Sequence, residues 1–305
     1  MDTGRVGIVV RTKNRPWFLA RALGDIAAQH YADWRAHVVN DGGDPSHVAA
    51  VLADLPDDVR DRMTVAHNAT PLGRSAAANQ GVRALPDSEF IVLHDDDDLW
   101  HPQFLSATVA WLDHHPADIG VVTRTAIVYE DETSDGGFAE TAREIFWAQM
   151  HEVTYTDLLE INRWVPIAYL YRRVLHDRVG LYDEEIHAAE DWDFGLRTLV
   201  RYHVGFLDGE PLAFWMQRRG VGGELGNSMF ALAEEHGRYD AIIRDRALRD
   251  FAAANGAGLA LYLARYIPDQ VRRIVKDELA KELDARPSDM DRLRRRLSGL
   301  RRRRS

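Results

Sequence analysis

The stretch that most constrains this chain is Phe90-Ile91-Val92-Leu93-His94-Asp95-Asp96-Asp97-Asp98-Leu99-Trp100-His101-Pro102. Its four apolar residues read as a short buried strand. Four carboxylates follow directly, and Pro102 marks the start of a helix. Adjacent carboxylates repel one another, so such a run makes sense at a strand end chiefly when a cation or hydrogen-bond donors hold it. The carboxyl ends of strands are where open α/β sheets bind ligands. The alternative is a solvated acidic loop, which has no need to follow a buried strand so closely.

The rest of the N-terminal half repeats this arrangement. Val6 to Val10 reads as a strand that ends in Arg11-Thr12-Lys13-Asn14-Arg15-Pro16, and Phe18, Leu19, Ala22, Leu23 and Ile26 then recur at helical spacing. A second strand, His37 to Val39, ends at Asn40-Asp41-Gly42-Gly43, and a third, Met63 to Ala66, ends at Asn68. A helix runs from Arg74 to Leu85 after Gly73. Alternation of this kind predicts an α/β fold with a mostly parallel, Rossmann-like sheet flanked by helices. Right-handed crossovers then bring the loops at 11–15, 40–43, 68–74 and 95–98 to one edge. Further on, Ile119 to Tyr129 reads as one long strand, Glu144 to Met150 fits strand or helix, and Val204–Leu207 and Leu212–Met216 read as strands. Glu190-Asp191 stands before the helical spacing of Leu196, Leu199 and Val200. A glycine-rich loop covers 220–226, and the chain beyond is helical by pattern, with breaks near Gly256, Pro268 and Pro287. The expected domains are 1–226, with a nucleotide-binding half at 1–115 and an acceptor half at 116–226, and a helical C-terminal extension at 227–305.

A hydrophobic content of 46% over 305 residues supports a sizeable core. With no cysteine, disulfides and thiolate metal sites are excluded, which suits a reducing cytoplasm. The opening residues run straight into the first strand, so no signal peptide is expected, and no stretch is apolar enough to span a membrane. Residues 286–305 hold nine Arg and two Asp, a net +7, which leaves −17 on the remainder of a chain whose total is −10. An acidic body argues against nucleic-acid binding. The basic tail, with Met290, Leu293, Leu297 and Leu300 at helical spacing, leaves open peripheral contact with an anionic surface or packing on a second subunit.

Carboxylates on a sheet edge suit Mg²⁺ or Mn²⁺, which are often shared with substrate phosphates. The polar loops at Thr12–Arg15 and Asp41 are placed to hold a base and ribose, although Asp41 is equally suited to forming the turn before Gly42-Gly43. Glu190 and Asp191 offer a carboxylate to take a proton from an attacking hydroxyl, or a plain helix cap. Trp100 and Trp192 suit the core or a cleft wall better than a sugar platform. Signatures of P-loop NTPases, dinucleotide dehydrogenases, serine hydrolases and EF-hands are all absent.

Five ordered motifs carry a resemblance: VVRTKNRP, VVNDGG, Gly73-Arg74-Ser75 with Asn79 and Gly81, LHDDDDLWHP, and EDWDF. Together they resemble the family 2 glycosyltransferases with the GT-A fold, over about residues 5–220. The resemblance implies inverting transfer from a nucleotide-diphospho-sugar, of UDP or TDP type, to a saccharide or lipid-linked acceptor. It puts base and ribose near Thr12, Asn14, Arg15, Asp41 and Arg74, and the ribose also beside Asp95 and Asp96. It makes Asp97 the metal ligand for Mn²⁺ or Mg²⁺, Asp191 the catalytic base, and Glu190 and Trp192 acceptor-facing. Many relatives carry a His after the last sheet strand that helps the metal, whereas this chain has Met216-Gln217-Arg218-Arg219. A water or a phosphate oxygen would fill that position, or Arg218 would contact the diphosphate directly. The competing functions are a sugar nucleotidyltransferase, for which Thr12-Lys13-Asn14-Arg15 is a poor signature, and a non-catalytic nucleotide-sugar-binding module, which would need no base such as Glu190-Asp191.

Overall fold

The computed structural model describes residues 4–134, 136–218 and 233–285. The glycine-rich loop, the expected boundary at 226 and the basic C-terminal tail lie outside these residues. The chain divides into two units, Met1–Ala241 and Ile242–Ser305.

The first unit is built on β1 (Val6–Thr12), whose burial is complete along its length because strands lie on both sides of it and helices cover its faces. It pairs in parallel with β2 (Trp34–Asp41) and β4 (Phe90–Asp95), and β2 pairs in parallel with β3 (Met63–Asn68). The helices between them are α1 (Pro16–Ala27), α2 (Pro45–Ala53), α3 (Asp57–Arg60) and α4 (Arg74–Ala84). Helix α1 begins at Pro16 and buries Phe18, Leu19, Ala22, Leu23 and Ile26, the residues its spacing singled out. The side chain of Asp44 caps α2 by accepting from Ser46 N at 2.8 Å. Because β2 and β4 lie on opposite sides of β1, the chain reverses its winding there and opens a crevice at the strand ends. Thr12, Asp41, Asn68 and Asp95 close those four strands.

A two-residue strand, β5 (Leu99–Trp100), follows the acidic run, and α5 starts at Phe104, so Pro102 lies in the turn before the helix. Trp100 is core: its ring stacks on Phe104 at 4.4 Å and its indole N–H donates to Ile167 O at 2.8 Å.

The expected long strand from Ile119 is two strands. β6 (Gly120–Thr123) joins the main sheet and β7 (Thr125–Glu132) a second one. Arg124 makes the break: its guanidinium bonds Asp208 and the carbonyls of Trp147 and Met150. Residues 144–150 resolve into the end of β8 (Phe138–Ile145), which pairs with β7, followed by a turn. Beyond them lie α6 (Tyr155–Glu160), β9 (Tyr169–Arg172), α7 (Leu175–Val179), α8 (Glu190–Leu199), β10 (Val204–Leu207) and β11 (Ala213–Gln217). The main sheet has seven strands in the order β10-β6-β9-β4-β1-β2-β3, with β9 antiparallel to both neighbours. The second has the order β5-β11-β7-β8.

Helix α9 (Ala233–Asn255) crosses the unit boundary. The compact first unit runs to Ala241. The reason is packing: Tyr239 is buried, with its ring 5.7 Å from that of His187. Helix α10 (Gly258–Ala285) lies in the second unit and runs through Pro268, where a break was expected. Proline's fixed φ is compatible with the helix, although it forfeits the hydrogen bond to the carbonyl of Ala264 and crowds that carbonyl. Gly256, at φ +82°, does end α9.

The packing of α4 on β1 leaves no room at Gly81, where an added Cβ would lie 2.2 Å from Val9 Cγ1. We therefore expect Gly81→Ala to lower unfolding free energy by about 1–3 kcal/mol in urea denaturation, despite alanine's better helix propensity.

Candidate active site

The acidic run is held by separate donors rather than by one shared partner. Asp95 Oδ1 accepts from Arg11 at 2.6 and 2.9 Å. Asp96 pairs with Arg15 through both oxygens. Asp97 Oδ2 accepts from Arg15 Nη1 at 3.2 Å and from Arg218 Nη2. Asp98 Oδ1 accepts from Met216 N of β11 at 2.9 Å, which ties the loop to the second sheet. Arg218 is fully buried and reaches Glu130 of β7 as well, at 3.3 Å, while Arg21 of α1 also pairs with Glu130. The Arg218 guanidinium lies over the Phe18 ring, 4.3 Å from its centroid. Burial, with the neighbouring charges of Asp97 and Asp95, pushes the Asp98 carboxyl well above its usual range. Burial also pushes Asp96 up to about 7, against the pull of Arg15.

These contacts show what the expected donor-site residues bond within the chain. Asp96 is fully buried with both oxygens on Arg15, as that guanidinium's counter-ion. Thr12 is buried too, and its hydroxyl bonds Asp96. Both oxygens of Asp41 serve the chain: Oδ1 accepts from Asn68 Nδ2 and Leu72 N, and Oδ2 from Gly73 N at 2.9 Å. This is the turn-forming alternative, extended to closing the 68–73 loop, and Gly73 accommodates it at φ +96°. Asn14, at φ +52°, accepts from Asp44 N at 2.8 Å and so joins the first two loops. Arg15, Arg74 and Asp95 keep partial exposure at the strand ends.

A second acidic pair stands at the start of α8. Its N-cap is Ala189, in the left-handed region at φ +66°, with no side-chain cap. The plain helix-cap reading of Glu190 and Asp191 is therefore not what forms. A non-glycine residue at such a φ stores strain of the kind found at functional sites. Glu190 is buried and turned inward, with Oε1 3.2 Å from Arg11 Nη1 and 3.7 Å from Arg74 Nε. These cations hold its carboxyl below the usual range although burial opposes them. Asp191 is half-buried and accepts from Asn162 Nδ2 at 2.8 Å. Burial, followed by the charge of Glu190, pushes Asp191 up to about 6. Trp192 is buried at 3% exposure and its indole N–H donates to Leu158 O at 2.7 Å. An ion pair and an indole hydrogen bond thus draw Glu190 and Trp192 toward the protein interior.

Several contributors were not singled out from sequence. Arg11 links Asp95, Glu190 and the carbonyl of Arg74, and its signal was an arginine at the end of an otherwise apolar strand. Asn162, Glu130 and Arg21 carried no local signal.

Four strand-end loops, two acidic clusters and a reversal of winding define a GT-A-type α/β protein. Residues 7–164 match the family model for "Glycosyl transferase family 2". The uncharacterized glycosyltransferase YwdF of Bacillus subtilis is 30% identical over 201 residues, which cover 66% of this chain and 70% of that protein. The putative colanic acid biosynthesis glycosyl transferase WcaA of Escherichia coli is 27% identical over 208 residues, 68% of either chain. Among solved structures, S. aureus TarS 1-349 in complex with UDP-GlcNAc has a TM-score of 0.57 at 18% identity, covering 84% of this chain and 75% of its own. The mannosyltransferase PcManGT of Pyrobaculum calidifontis, in complex with GDP-Man and Mn²⁺, has a TM-score of 0.52 at 18% identity, covering 88% and 81%. At such identity these structures bear on the fold. The chain belongs to glycosyl transferase family 2 and is a glycosyltransferase.

The fit of a divalent ion can be tested on the site itself. Among the described residues no group of three or more His, Asp or Glu gathers for a metal. What the loop offers is the Asp97 carboxylate at a ligand-binding edge, already matched to cations. One carboxylate together with substrate phosphate oxygens is an ordinary set for Mg²⁺ or Mn²⁺, so the residues fit an ion that arrives with its substrate.

Removing one partner of a buried ion pair leaves the other charge uncompensated. Arg11→Met should thus cost about 3–5 kcal/mol of unfolding free energy, since it strands Asp95 and Glu190 together. Chemical denaturation of the variant beside wild type measures it.

Proposed function

We propose that the protein transfers a sugar, with inversion, from a nucleoside-diphosphate sugar to a hydroxyl of a saccharide or lipid-linked acceptor. The observation that carries this reading is the divergence of two adjacent carboxylates, with Glu190 held ionised by Arg11 and Arg74 and Asp191 raised to about 6. A base with a pKa somewhat below neutral is mostly ionised at pH 7 and retains proton affinity for an attacking hydroxyl.

In the proposed reaction the acceptor oxygen bonds the anomeric carbon while the bond from that carbon to the diphosphate breaks. The hydroxyl proton passes to an Asp191 oxygen, and the nucleoside diphosphate leaves with the electron pair. Asn162 orients Asp191, and Glu190 keeps Arg11 and Arg74 in place beside it. Arg15, Arg74 and Asp95 meet the nucleotide. Asp97 would hold Mn²⁺ or Mg²⁺ together with the diphosphate, and the ion, when bound, would supply Lewis-acid stabilisation of the leaving group. The UDP- and GDP-sugar complexes of the structural neighbours support a nucleotide-sugar donor, and Mn²⁺ in one of them supports a divalent ion.

Two outcomes test this reading. Asp191→Asn should leave nucleoside diphosphate affinity unchanged and reduce transfer by about 10²–10⁴-fold. Because only the ionised form accepts a proton, wild-type turnover should fall as pH drops through about 6, and the variant should lose that limb. Normal transfer by the variant, or product with retained anomeric configuration, would exclude the mechanism.

The second outcome concerns Asp97→Asn. In calorimetry it should abolish the strengthening of UDP binding by Mn²⁺ while leaving metal-free binding measurable.

A further inference from the structure

Helix α10 leaves a long apolar face uncovered. Leu263, Ile267, Val271, Ile274 and Val275 recur along it at intervals of three and four residues, and all are exposed, Ile267 at 53% and Ile274 at 57%. At about 100° per residue, the apolar side chains from Leu259 to Val275 sweep an arc of about 220°, interrupted by Gln270. Over residues 259–276 the remaining arc holds Arg265, Arg272, Arg273 and Lys276 against one acid, Asp269, while the last turns of α10 carry Asp277, Glu278, Glu282 and Asp284 against Lys281, so the basic pattern belongs to the first two thirds of the helix. Asp269 pairs with Arg265 at 2.8 Å and with Arg272 at 3.1 Å, which leaves the polar side net positive.

A surface of this size is rarely left in water. The arc is far wider than the two-position seam that a coiled-coil partner covers. No described helix is long and apolar enough to cross a membrane. A wide apolar arc backed by Arg and Lys is the pattern of a helix lying in the plane of a lipid interface, where its cations meet anionic headgroups. Net charge points the same way: the body is acidic, yet the polar face of residues 259–276 is basic, and residues 286–305 are net +7. We propose that α10 lies on an anionic membrane surface with Leu263, Ile267, Val271 and Ile274 buried among the acyl chains. This attachment is independent of the transfer chemistry, and it would bring the enzyme to acceptors held at that surface.

The test uses the full chain and sedimentation with vesicles of phosphatidylcholine, with and without phosphatidylglycerol. Wild type should bind the mixed vesicles and bind the neutral ones at least several-fold less. Ile267→Asp with Ile274→Asp should weaken binding to mixed vesicles by roughly tenfold or more, with helical circular dichroism retained because both positions are exposed. Arg265→Glu with Arg272→Glu should give a comparable loss that added salt does not deepen. UDP release from the donor with a soluble acceptor should be the same in all three proteins, so a defect there would implicate the proposed function instead. Equal vesicle binding by wild type and the Ile267/Ile274 variant overturns the proposal. So does a wild-type dimer in sedimentation velocity that ignores vesicles and dissociates in that variant, which would assign the face to a second copy of the chain.

Discussion

Everything at the candidate site depends on keeping four consecutive carboxylates at the end of one buried strand. In isolation their repulsion would fray the end of β4. The fold answers with donors from different parts of the chain: Arg11 for Asp95, Arg15 for Asp96 and Asp97, Arg218 for Asp97 as well, and the Met216 amide for Asp98. These donors come from β1, the start of α1 and β11, so the acidic loop knits the two sheets together.

The same economy links the two acidic clusters. Arg11 bonds Asp95 on one side and Glu190 on the other, so the β4 loop and the start of α8 share a cation. This arrangement separates two neighbours that look alike in sequence. Glu190 is drawn into an ion pair, and Asp191 is left with a neutral amide, Asn162, and a pKa raised by burial. Burial sets the acid–base character of Asp191, and the charge of Glu190 adds to it.

Much of the fold was legible because its signals are local. The apolar runs ending in polar loops gave β1 to β4, since a strand buried on both faces must be apolar throughout. The spacing in α1 named its buried face, and family motifs pointed to the correct loops. What the sequence left open has a common cause. Asp96, Thr12, Glu190 and Trp192 are polar or amphipathic residues at a motif, and whether such a side chain faces a ligand or the interior depends on partners far away in sequence. Leu158 O takes the Trp192 indole, and Arg15 takes both oxygens of Asp96.

The sequence alone determined the alternation of strand and helix, the convergence of the loops on one edge and the family, because hydrophobic periodicity and contiguous motifs are properties of neighbouring residues. The tertiary structure alone decided where the run from Ile119 changes sheet, which carboxylates are spent on arginines, and that Asp191 rather than Glu190 keeps a raised pKa. Those outcomes rest on burial and on charge pairs that span as many as 179 positions, as between Arg11 and Glu190, and such pairs exist only once the chain is folded.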